Sequence, residues 1–326
     1  MGHAGPGTSP LELAELAVEA DRLGYHSAWT AEAWGTDAVT PLAWLAGRTE
    51  RILLGTAIMQ VPGRTPANAA MTAATIDLLS GGRFVMGIGN SGPQVVEGWH
   101  GQEWGKPLAK LREYVEIVRA VLRRDTLEHH GAHYDIPRTD GTGLGKPLRL
   151  SVHPERADVP IYLAATSPKA IELAMEIADG WLPIFWSPER ARDLFALDGA
   201  RPGFGIAPNV RVSLGDDVAA ARDALKPYYA FYVGGMGARG KNFYNDLFAR
   251  LGYEGEAREV QDLFLDGKRD EAAARIPDAF VDEVALVGPK ERVRDRLAAW
   301  RESGASTLLL AIRDVATLRA IAEVSL

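Results

Sequence analysis

The sequence predicts an α/β protein, a (β/α)8 TIM barrel with insertions. Short uninterrupted apolar segments, typical of parallel strands buried on both faces, alternate with segments whose apolar residues recur at helical spacing. The chain has 326 residues, whereas a barrel needs about 250, so the length leaves room for insertions. We therefore expect one barrel domain over residues 1–326.

The N-terminal half opens with a clear helix signal. Ser9-Pro10-Leu11-Glu12 is a capping box with proline at the first helical position, and Gly24 follows the last apolar residue of the stripe. The alternation then continues as far as residue 136. We expect strands over 26–31, 52–60 and 84–89, helices over 40–48, 66–79 and 106–124, and an inserted hairpin near 127–136.

The C-terminal half repeats the same unit. We expect strands over 161–164, 181–184, 209–214 and 307–311, and helices over 168–178, 188–197, 217–231, 289–302 and 315–324. A helical insertion near 235–284 is expected because Phe243, Leu247 and Leu251 fall at helical spacing. An eight-stranded barrel needs one strand more than these segments supply, and residues 1–8 have a loop composition. The first strand is therefore expected to be missing or truncated in this chain.

The amino-acid composition argues against several classes of partner and chemistry. The net charge of −7 argues against nucleic acid, since phosphate binding needs clustered Lys and Arg. The chain has no cysteine, which excludes disulfides and thiolate chemistry. It shows no signal peptide and no apolar run long enough to span a membrane. We expect a soluble cytoplasmic protein that acts on a small molecule and has no membrane partner.

A glycine-rich segment follows the strand predicted over 84–89. Gly87, Gly89 and Gly92 match G-x-G-x-x-G, but a dinucleotide fold also needs a helix at once and an acid ending a second strand about 20 residues later. Pro93 and a Trp-rich segment predict a loop instead, and Glu113 lies within a helical pattern. We interpret the segment as a buried strand that ends against a cofactor. No metal is expected, because His129, His130 and His133 straddle a hairpin turn whose faces need not converge.

Several motifs together resemble the bacterial-luciferase-like superfamily. They are Ala-Trp-Thr-Ala-Glu at 28–32, Leu-Gly-Thr-Ala-Ile-Met at 54–59, Leu-Leu-Ser-Gly-Gly-Arg-Phe-Val-Met-Gly-Ile-Gly at 78–89 and Ile-Ala-Asp-Gly-Trp at 177–181. The segments 95–101, 105–108 and 233–237 are similar to its F420-dependent oxidoreductase branch. The resemblance spans nearly the whole chain and implies a homodimeric enzyme.

The resemblance implies that the deazaflavin F420 lies across the barrel mouth. A non-proline cis peptide is implied at Ala57-Ile58, backing the ring, and Ala165, Thr166 and Ser167 are implied to hold the phosphate at a helix N-terminus. The full set of implied cofactor contacts is Glu32, Ala57, Ile58, Gly89, Asn90, Ser91, Gly92, Ala165, Thr166, Ser167 and Trp181.

Two residues are candidates for catalysis. Glu32 is a carboxylate at a strand end in the barrel mouth, which is costly unless it binds or reacts, although a salt bridge would also explain it. His100 stands in an expected mouth loop and could exchange a proton during hydride transfer, or could simply be solvent-exposed.

The expected reaction moves a hydride between C5 of the deazaflavin and a small organic substrate. Sugar-phosphate dehydrogenases of the family place a histidine after the acid and a glutamate further on, where this chain has Ala33 and Gly92. A sugar phosphate is therefore not expected. The aromatic side chains expected to line the substrate pocket are Trp34, Trp99, Phe185 and Trp186.

Three alternatives stay open at this point. The same fold could bind FMN and act as a luciferase-like monooxygenase. A barrel hydrolase could use Glu32 together with Glu97. The chain could also be a non-catalytic binding homologue.

Overall fold

The computed structural model describes residues 9–325. The helices are α1 Pro10–Leu23, α2 Thr40–Ala46, α3 Pro66–Leu79, α4 Pro93–Gly98, α5 Pro107–Leu122, α6 Pro168–Ile177, α7 Ala191–Phe195, α8 Val218–Asp223, α9 Lys226–Ala230, α10 Phe243–Arg250, α11 Glu254–Leu265, α12 Arg269–Ala274, α13 Asp278–Val284, α14 Lys290–Glu302 and α15 Val315–Ser325. The strands are β1 Ser27–Thr30, β2 Leu53–Thr56, β3 Met59–Gln60, β4 Phe84–Gly89, β5 His129–His130, β6 Asp135–Ile136, β7 Ile161–Ala164, β8 Gly180–Leu182, β9 Gly205–Ile206, β10 Asn209–Leu214, β11 Ala285–Gly288 and β12 Leu309–Ala311. The predicted alternation of strands and helices is confirmed. The expectation about a first strand concerns residues 1–8, which lie outside the described residues.

The chain divides into two compact units. The first contains residues 9–164 and 173–180, and the second contains residues 165–172 and 181–325. Within residues 9–325 no helix is long and apolar enough to cross a membrane.

The first unit contains a parallel sheet. Its strands lie in the order β1, β2, β4, β7, and the short β3 also pairs with β4. All six residues of β4 are buried, as expected for a strand covered on both faces. Gly55 must be a glycine here, because a Cβ atom would come within 2.2 Å of the Trp29 ring. The sheet therefore brings the ends of β1, β2 and β4 side by side.

A buried aspartate ties the start of this sheet to the first helix. Asp21 lies at the C-terminal end of α1 and accepts hydrogen bonds from the backbone N–H groups of Glu50, Arg51 and Ile52. Burial acts to raise the pKa of Asp21, but these backbone donors outweigh it and hold the pKa below its ordinary value. Asp21 thus fixes the chain at the entry to β2.

Arg83, just before β4, also fixes the chain at the entry to β2. Its guanidinium donates to the carbonyls of Ala46, Thr49 and Ile52, so it closes the end of α2 against the approach to β2. Burial lowers the pKa of Arg83, partly offset by the charge of Asp21.

The second unit contains a three-stranded parallel sheet with β10 between β11 and β12. Helices α10 to α13 fall within the range predicted for a helical insertion. Phe280 of α13 packs edge to face on Phe248 of α10 and on Tyr229 of α9, at ring-centroid distances of 4.7 and 5.1 Å. The hairpin predicted near 127–136 is present as the antiparallel pair β5 and β6. That either segment is an insertion stays a prediction.

Three predictions about local structure are wrong. A helix, not a loop, follows Gly92, because Gly92 occupies the N-cap and Pro93 the first helical position of α4. Strand β11 was not predicted, since its apolar residues continue directly from those of α13. The helix expected over 217–231 is broken into α8 and α9, with Pro227 in the first turn of α9, followed by a π-helical turn over Phe231–Gly235.

We predict that Asp21→Asn lowers the free energy of unfolding by about 1–3 kcal/mol at pH 7, because an amide cannot accept from all three N–H donors. The folded-state pKa of Asp21 is depressed, so its contribution is present above the ordinary value of 3.8 and is lost as the pH falls through the folded-state pKa. Urea unfolding from pH 7 to pH 3 should show the difference between the two proteins shrinking at the acid end. Asp193→Asn, at an exposed position, is the control, and an equal effect of both substitutions would contradict the assignment.

Candidate active site

The carboxylate of Glu32, just beyond β1, is held by four donors. Its Oε1 accepts from the Gln60 N–H at 2.8 Å and from Arg64 Nη1 at 2.6 Å. Its Oε2 accepts from the Ala38 N–H at 3.0 Å and from Arg64 Nη2 at 3.2 Å. A carboxylate has about four acceptor positions, so those of Glu32 are filled. The side chains of Glu32 and Arg64 are only 10% and 17% exposed, which makes this a largely buried bidentate pair.

Gln60 connects Glu32 to His100 through hydrogen bonds. The Gln60 side-chain NH2 donates to the Ala33 carbonyl at 2.9 Å, which turns its Oε1 toward His100 Nε2 at 3.0 Å. An amide oxygen only accepts, so His100 Nε2 carries the proton. In neutral His100 the other ring nitrogen, Nδ1, is therefore the proton acceptor. His100 is half-buried and Gln60 is buried.

The peptide bond between Ala57 and Ile58 is cis, as the resemblance implied. It separates β2 from β3. Gly89, at the end of β4, lies against Ile58, because a Cβ atom on Gly89 would stand 2.7 Å from Ile58 Cδ1. Gly89 therefore packs against Ile58, and that it also contacts the cofactor stays a prediction.

The segment after β4 presents unpaired polar groups beside open space. Among residues 9–325, neither Asn90 nor Ser91 makes a side-chain hydrogen bond, and both are half-buried. Ser91 has φ of 64°, a left-handed conformation that non-glycine residues seldom adopt. A Cβ atom on Gly92 would meet nothing within 4 Å. Residues 90–92 thus leave room and hydrogen-bonding capacity for a ligand.

In the second unit, Ala165, Thr166 and Ser167 precede α6. The Ser167 hydroxyl accepts from the Ala170 N–H at 3.4 Å, as an N-cap residue does. Arg250 Nη2 donates to the Thr166 carbonyl, which brings a cation to this segment. Burial lowers the pKa of Arg250, with the charge of Asp246 acting to raise it. The helix N-terminus and Arg250 together favour an anion here.

The aromatic residues predicted for the pocket differ in exposure. Trp34 and Trp99 are 49% and 65% exposed, whereas Phe185 and Trp186 are buried. Trp186 stacks on Phe195 at 5.6 Å and donates to the Ser303 hydroxyl. That Phe185 and Trp186 line a substrate pocket stays a prediction, since the contacts described for them are with the protein itself.

Trp181, predicted as a cofactor contact, is also buried. Its ring N–H donates to the Ala165 carbonyl at 2.9 Å, so it supports the segment before α6.

No metal was expected at the three hairpin histidines, His129, His130 and His133, and the structure shows what the hairpin turn contacts. Glu113 accepts from the backbone N–H groups of Ala132, His133 and Tyr134, and its Oε2 lies 3.3 Å from His129 Nε2. Within residues 9–325 no group of three His, Asp or Glu side chains could hold a metal ion. The histidines instead belong to a turn closed by one carboxylate.

Sequence reasoning missed Arg64 and Arg250. It placed Gln60 at the end of the strand expected over 52–60, where a barrel carries its site residues, but gave it no role. All three residues act on a partner 28 to 84 positions away, so no local spacing in the sequence indicates the contact.

Comparison with known proteins adds an independent finding. A family model described as luciferase-like monooxygenase matches residues 1–307. A protein of Mycobacterium tuberculosis, provisionally named a coenzyme F420-dependent oxidoreductase, is 47% identical over 95% of this chain and 94% of its own length. The 5,10-methylenetetrahydromethanopterin reductase of Archaeoglobus fulgidus is 28% identical over 91% of this chain and 88% of its own length.

The fold is also shared with a solved structure. The coenzyme F420-dependent tetrahydromethanopterin reductase of Methanopyrus kandleri matches with a TM-score of 0.79 at 21% identity, over 99% of this chain and 96% of that one. This confirms the predicted TIM-barrel class.

We predict that Arg64→Met destabilises the protein by about 3–5 kcal/mol, because it leaves the buried Glu32 carboxylate without its cation. Arg112→Met is the matched control: Arg112 also pairs with a glutamate, Glu176, but both side chains are solvent-exposed, so a loss of about 1 kcal/mol or less is expected. Chemical denaturation of both variants measures the contrast. Equal losses would show that Glu32 does not depend on Arg64.

Proposed function

Because the chain belongs to the luciferase-like monooxygenase family, we propose that it is an F420-dependent oxidoreductase that transfers a hydride between F420 and a small organic substrate. His100 gives the proposal its main support, because the Gln60 amide oxygen lies 3.0 Å from Nε2 and leaves Nδ1 to exchange a proton with the substrate. Hydride transfer to or from a carbonyl requires such a partner. The names of the relatives add support for F420.

The residues present fit a deazaflavin. Ile58 supplies an apolar surface, and Asn90 and Ser91 supply side-chain donors that have no partner among the described residues. Within the second unit, Thr166, Ser167 and Arg250 form a segment that suits a phosphate group. When bound, F420 supplies C5 as the atom that gives or takes the hydride.

The protein's own part in the reaction is to move one proton. With an alcohol as substrate, neutral His100 accepts the hydroxyl proton at Nδ1 as the hydride leaves carbon. With a carbonyl as substrate, the protonated ring returns that proton to oxygen. Gln60 holds the ring in position throughout.

We assign Glu32 a positioning role. A carboxylate that already accepts four hydrogen bonds has no lone pair left for a substrate proton. Because the acceptor positions of Glu32 are filled, a hydrolase in which Glu32 works with Glu97, an exposed residue of α4, is not favoured. Glu32 instead holds Gln60 and Arg64.

We further propose that the substrate is not a sugar phosphate. Ala33 follows Glu32, and Gly92 offers no carboxylate, where the sugar-phosphate dehydrogenases of the family carry functional side chains. The homodimer that the resemblance implies also belongs to this proposal, and sedimentation velocity would test it.

A luciferase-like monooxygenase that uses FMN is the second candidate, because the family description itself names that activity. The two candidates differ in their use of oxygen. An F420-dependent oxidoreductase consumes none, whereas a monooxygenase consumes one O2 for each product formed.

The experiment that tests the proposal follows F420 absorbance and dissolved oxygen together. Small secondary alcohols, deuterated at the carbinol carbon, and the corresponding ketones are the substrates. We expect deuterium to appear at C5 of the reduced deazaflavin without oxygen uptake. Turnover that requires FMN and consumes oxygen would overturn the proposal.

We predict that His100→Gln lowers kcat in that assay by about 10² to 10⁴-fold, the usual size of a general acid–base contribution. Gln60→Leu should lower kcat less and change the pH profile, because the imidazole keeps its chemistry but loses the fixed proton position. The control is His130→Gln, an exposed hairpin residue paired with Asp135. If His100→Gln and the control behave alike, His100 has no part in proton transfer.

A further inference from the structure

The loop that carries His100 is held only weakly by packing. It comprises residues 99–106 between α4 and α5, most of which are exposed, whereas His100 itself is half-buried. Backbone hydrogen bonds tie its first half to α4, from the N–H groups of His100 and Gln102 to the carbonyls of Val95 and Val96, at 3.1 and 3.0 Å. A side chain on an exposed segment of this kind keeps one orientation only where further contacts fix it.

The 3₁₀ turn Val61–Gly63 faces this loop. It directly follows Gln60, and its first two residues are buried, so the turn is firmly set in the first unit. The turn passes close to the imidazole, because a Cβ atom on Gly63 would stand 3.6 Å from His100 Cε1. The loop therefore rests against a rigid piece of backbone.

Two side-chain hydrogen bonds join the loop to the turn in one register. His100 Nε2 lies 3.0 Å from Gln60 Oε1, and Gln102 Nε2 donates to the Pro62 carbonyl at 2.7 Å. In both pairs the partners are 40 positions apart, so loop and turn run side by side from one pair to the next. Gly101, between the two anchored side chains, has φ of 62°, which glycine adopts without strain. With the first bond alone, the loop would be free to pivot about His100.

Lys110, near the start of α5, sets the orientation of the Gln102 amide. Its Nζ donates to Gln102 Oε1 at 3.2 Å. A reversed amide would place its NH2 group against the ammonium of Lys110 and its oxygen against the Pro62 carbonyl, so neither hydrogen bond would form. Both neighbours therefore require the orientation in which Gln102 Nε2 points to Pro62.

We propose that Gln102 is a positioning residue for proton transfer. Its hydrogen bond to Pro62 holds the loop in the register in which His100 Nε2 meets Gln60 and Nδ1 is left to exchange a proton. Gln102 acts only through His100. The inference rests on the proposed function for the part that His100 plays in the reaction, whereas the fixed position of the ring is a property of the cofactor-free protein.

Nitrogen-15 NMR of the cofactor-free protein, labelled at histidine, tests the inference directly. At alkaline pH, where the imidazole is neutral, the protonated and the bare ring nitrogen have well-separated resonances, and those of His100 are identified by their absence from His100→Gln. We expect Nε2 to be the protonated atom in the unmodified protein. In Gln102→Met, which keeps the length of the side chain but cannot donate, the two resonances should move toward each other as both tautomers become populated. Unchanged resonances would overturn the inference.

Further variants separate the two hydrogen bonds of Gln102. Gln102→Glu keeps an acceptor for Lys110 but cannot donate to Pro62, so it should shift the His100 resonances as Gln102→Met does. Lys110→Met leaves the bond to Pro62 in place and should have the smaller effect. If Gln102→Glu behaves like the unmodified protein, or Lys110→Met has the larger effect, the bond to Pro62 is not the anchor and the inference fails.

Gln94→Met is the matched control. Gln94 is an exposed glutamine of α4, and among the described residues it makes no side-chain hydrogen bond. Its replacement should leave the His100 resonances and kcat unchanged. A shift as large as that of Gln102→Met would contradict the assignment to Gln102.

Kinetics in the F420 assay show whether the position of the ring matters for the reaction. Gln102→Met should lower kcat by about 10- to 100-fold and leave KM nearly unchanged, because a misplaced proton acceptor slows the chemical step without removing a contact to the substrate. The loss should be smaller than that of His100→Gln. An unchanged kcat, or a lower kcat and unfolding temperature with unchanged His100 resonances, would show that Gln102 has no positioning role.

The two measurements separate this inference from the proposed function. If the unmodified protein shows no turnover with F420 while the His100 tautomer still depends on Gln102, the positioning of the ring stands and the proposed function fails. If F420 turnover is observed and the tautomer is the same with and without Gln102, the proposed function stands and this inference fails.

Discussion

The charge of Glu32 is the constraint on which the candidate site depends. A carboxylate placed beyond a buried strand must be neutralised and hydrogen-bonded. Here Arg64 neutralises Glu32, and the N–H groups of Ala38 and Gln60 donate to it. Because Gln60 is held in this way, its side chain can bridge Ala33 and His100. The position of the proton on His100 therefore depends on the Glu32 carboxylate, which His100 contacts only through Gln60.

Much of the fold could be predicted because its signals are local. The start of α1 at the Ser9 cap, its end at Gly24 and the buried strand β4 each depend on residues adjacent in sequence. All three predictions are confirmed. Strand β11 and helix α4 could not be predicted as easily. The apolar residues of β11 continue from a helix, and α4 is a six-residue helix whose glycine and proline are equally typical of a loop.

The candidate site was harder to predict from the sequence than the fold, for a physical reason. A cis bond at Ala57-Ile58 was implied by resemblance and is present, but charge compensation is a property of three-dimensional neighbours. Arg64 meets Glu32 across 32 positions, so no local spacing in the sequence could show that the two residues pair.

Fluorescence titration of the cofactor-free protein with F420 and with FMN under identical conditions shows whether this barrel binds a deazaflavin or a flavin. We expect saturable F420 binding in the micromolar range or tighter, with FMN at least tenfold weaker. Micromolar FMN binding without F420 binding would contradict this expectation.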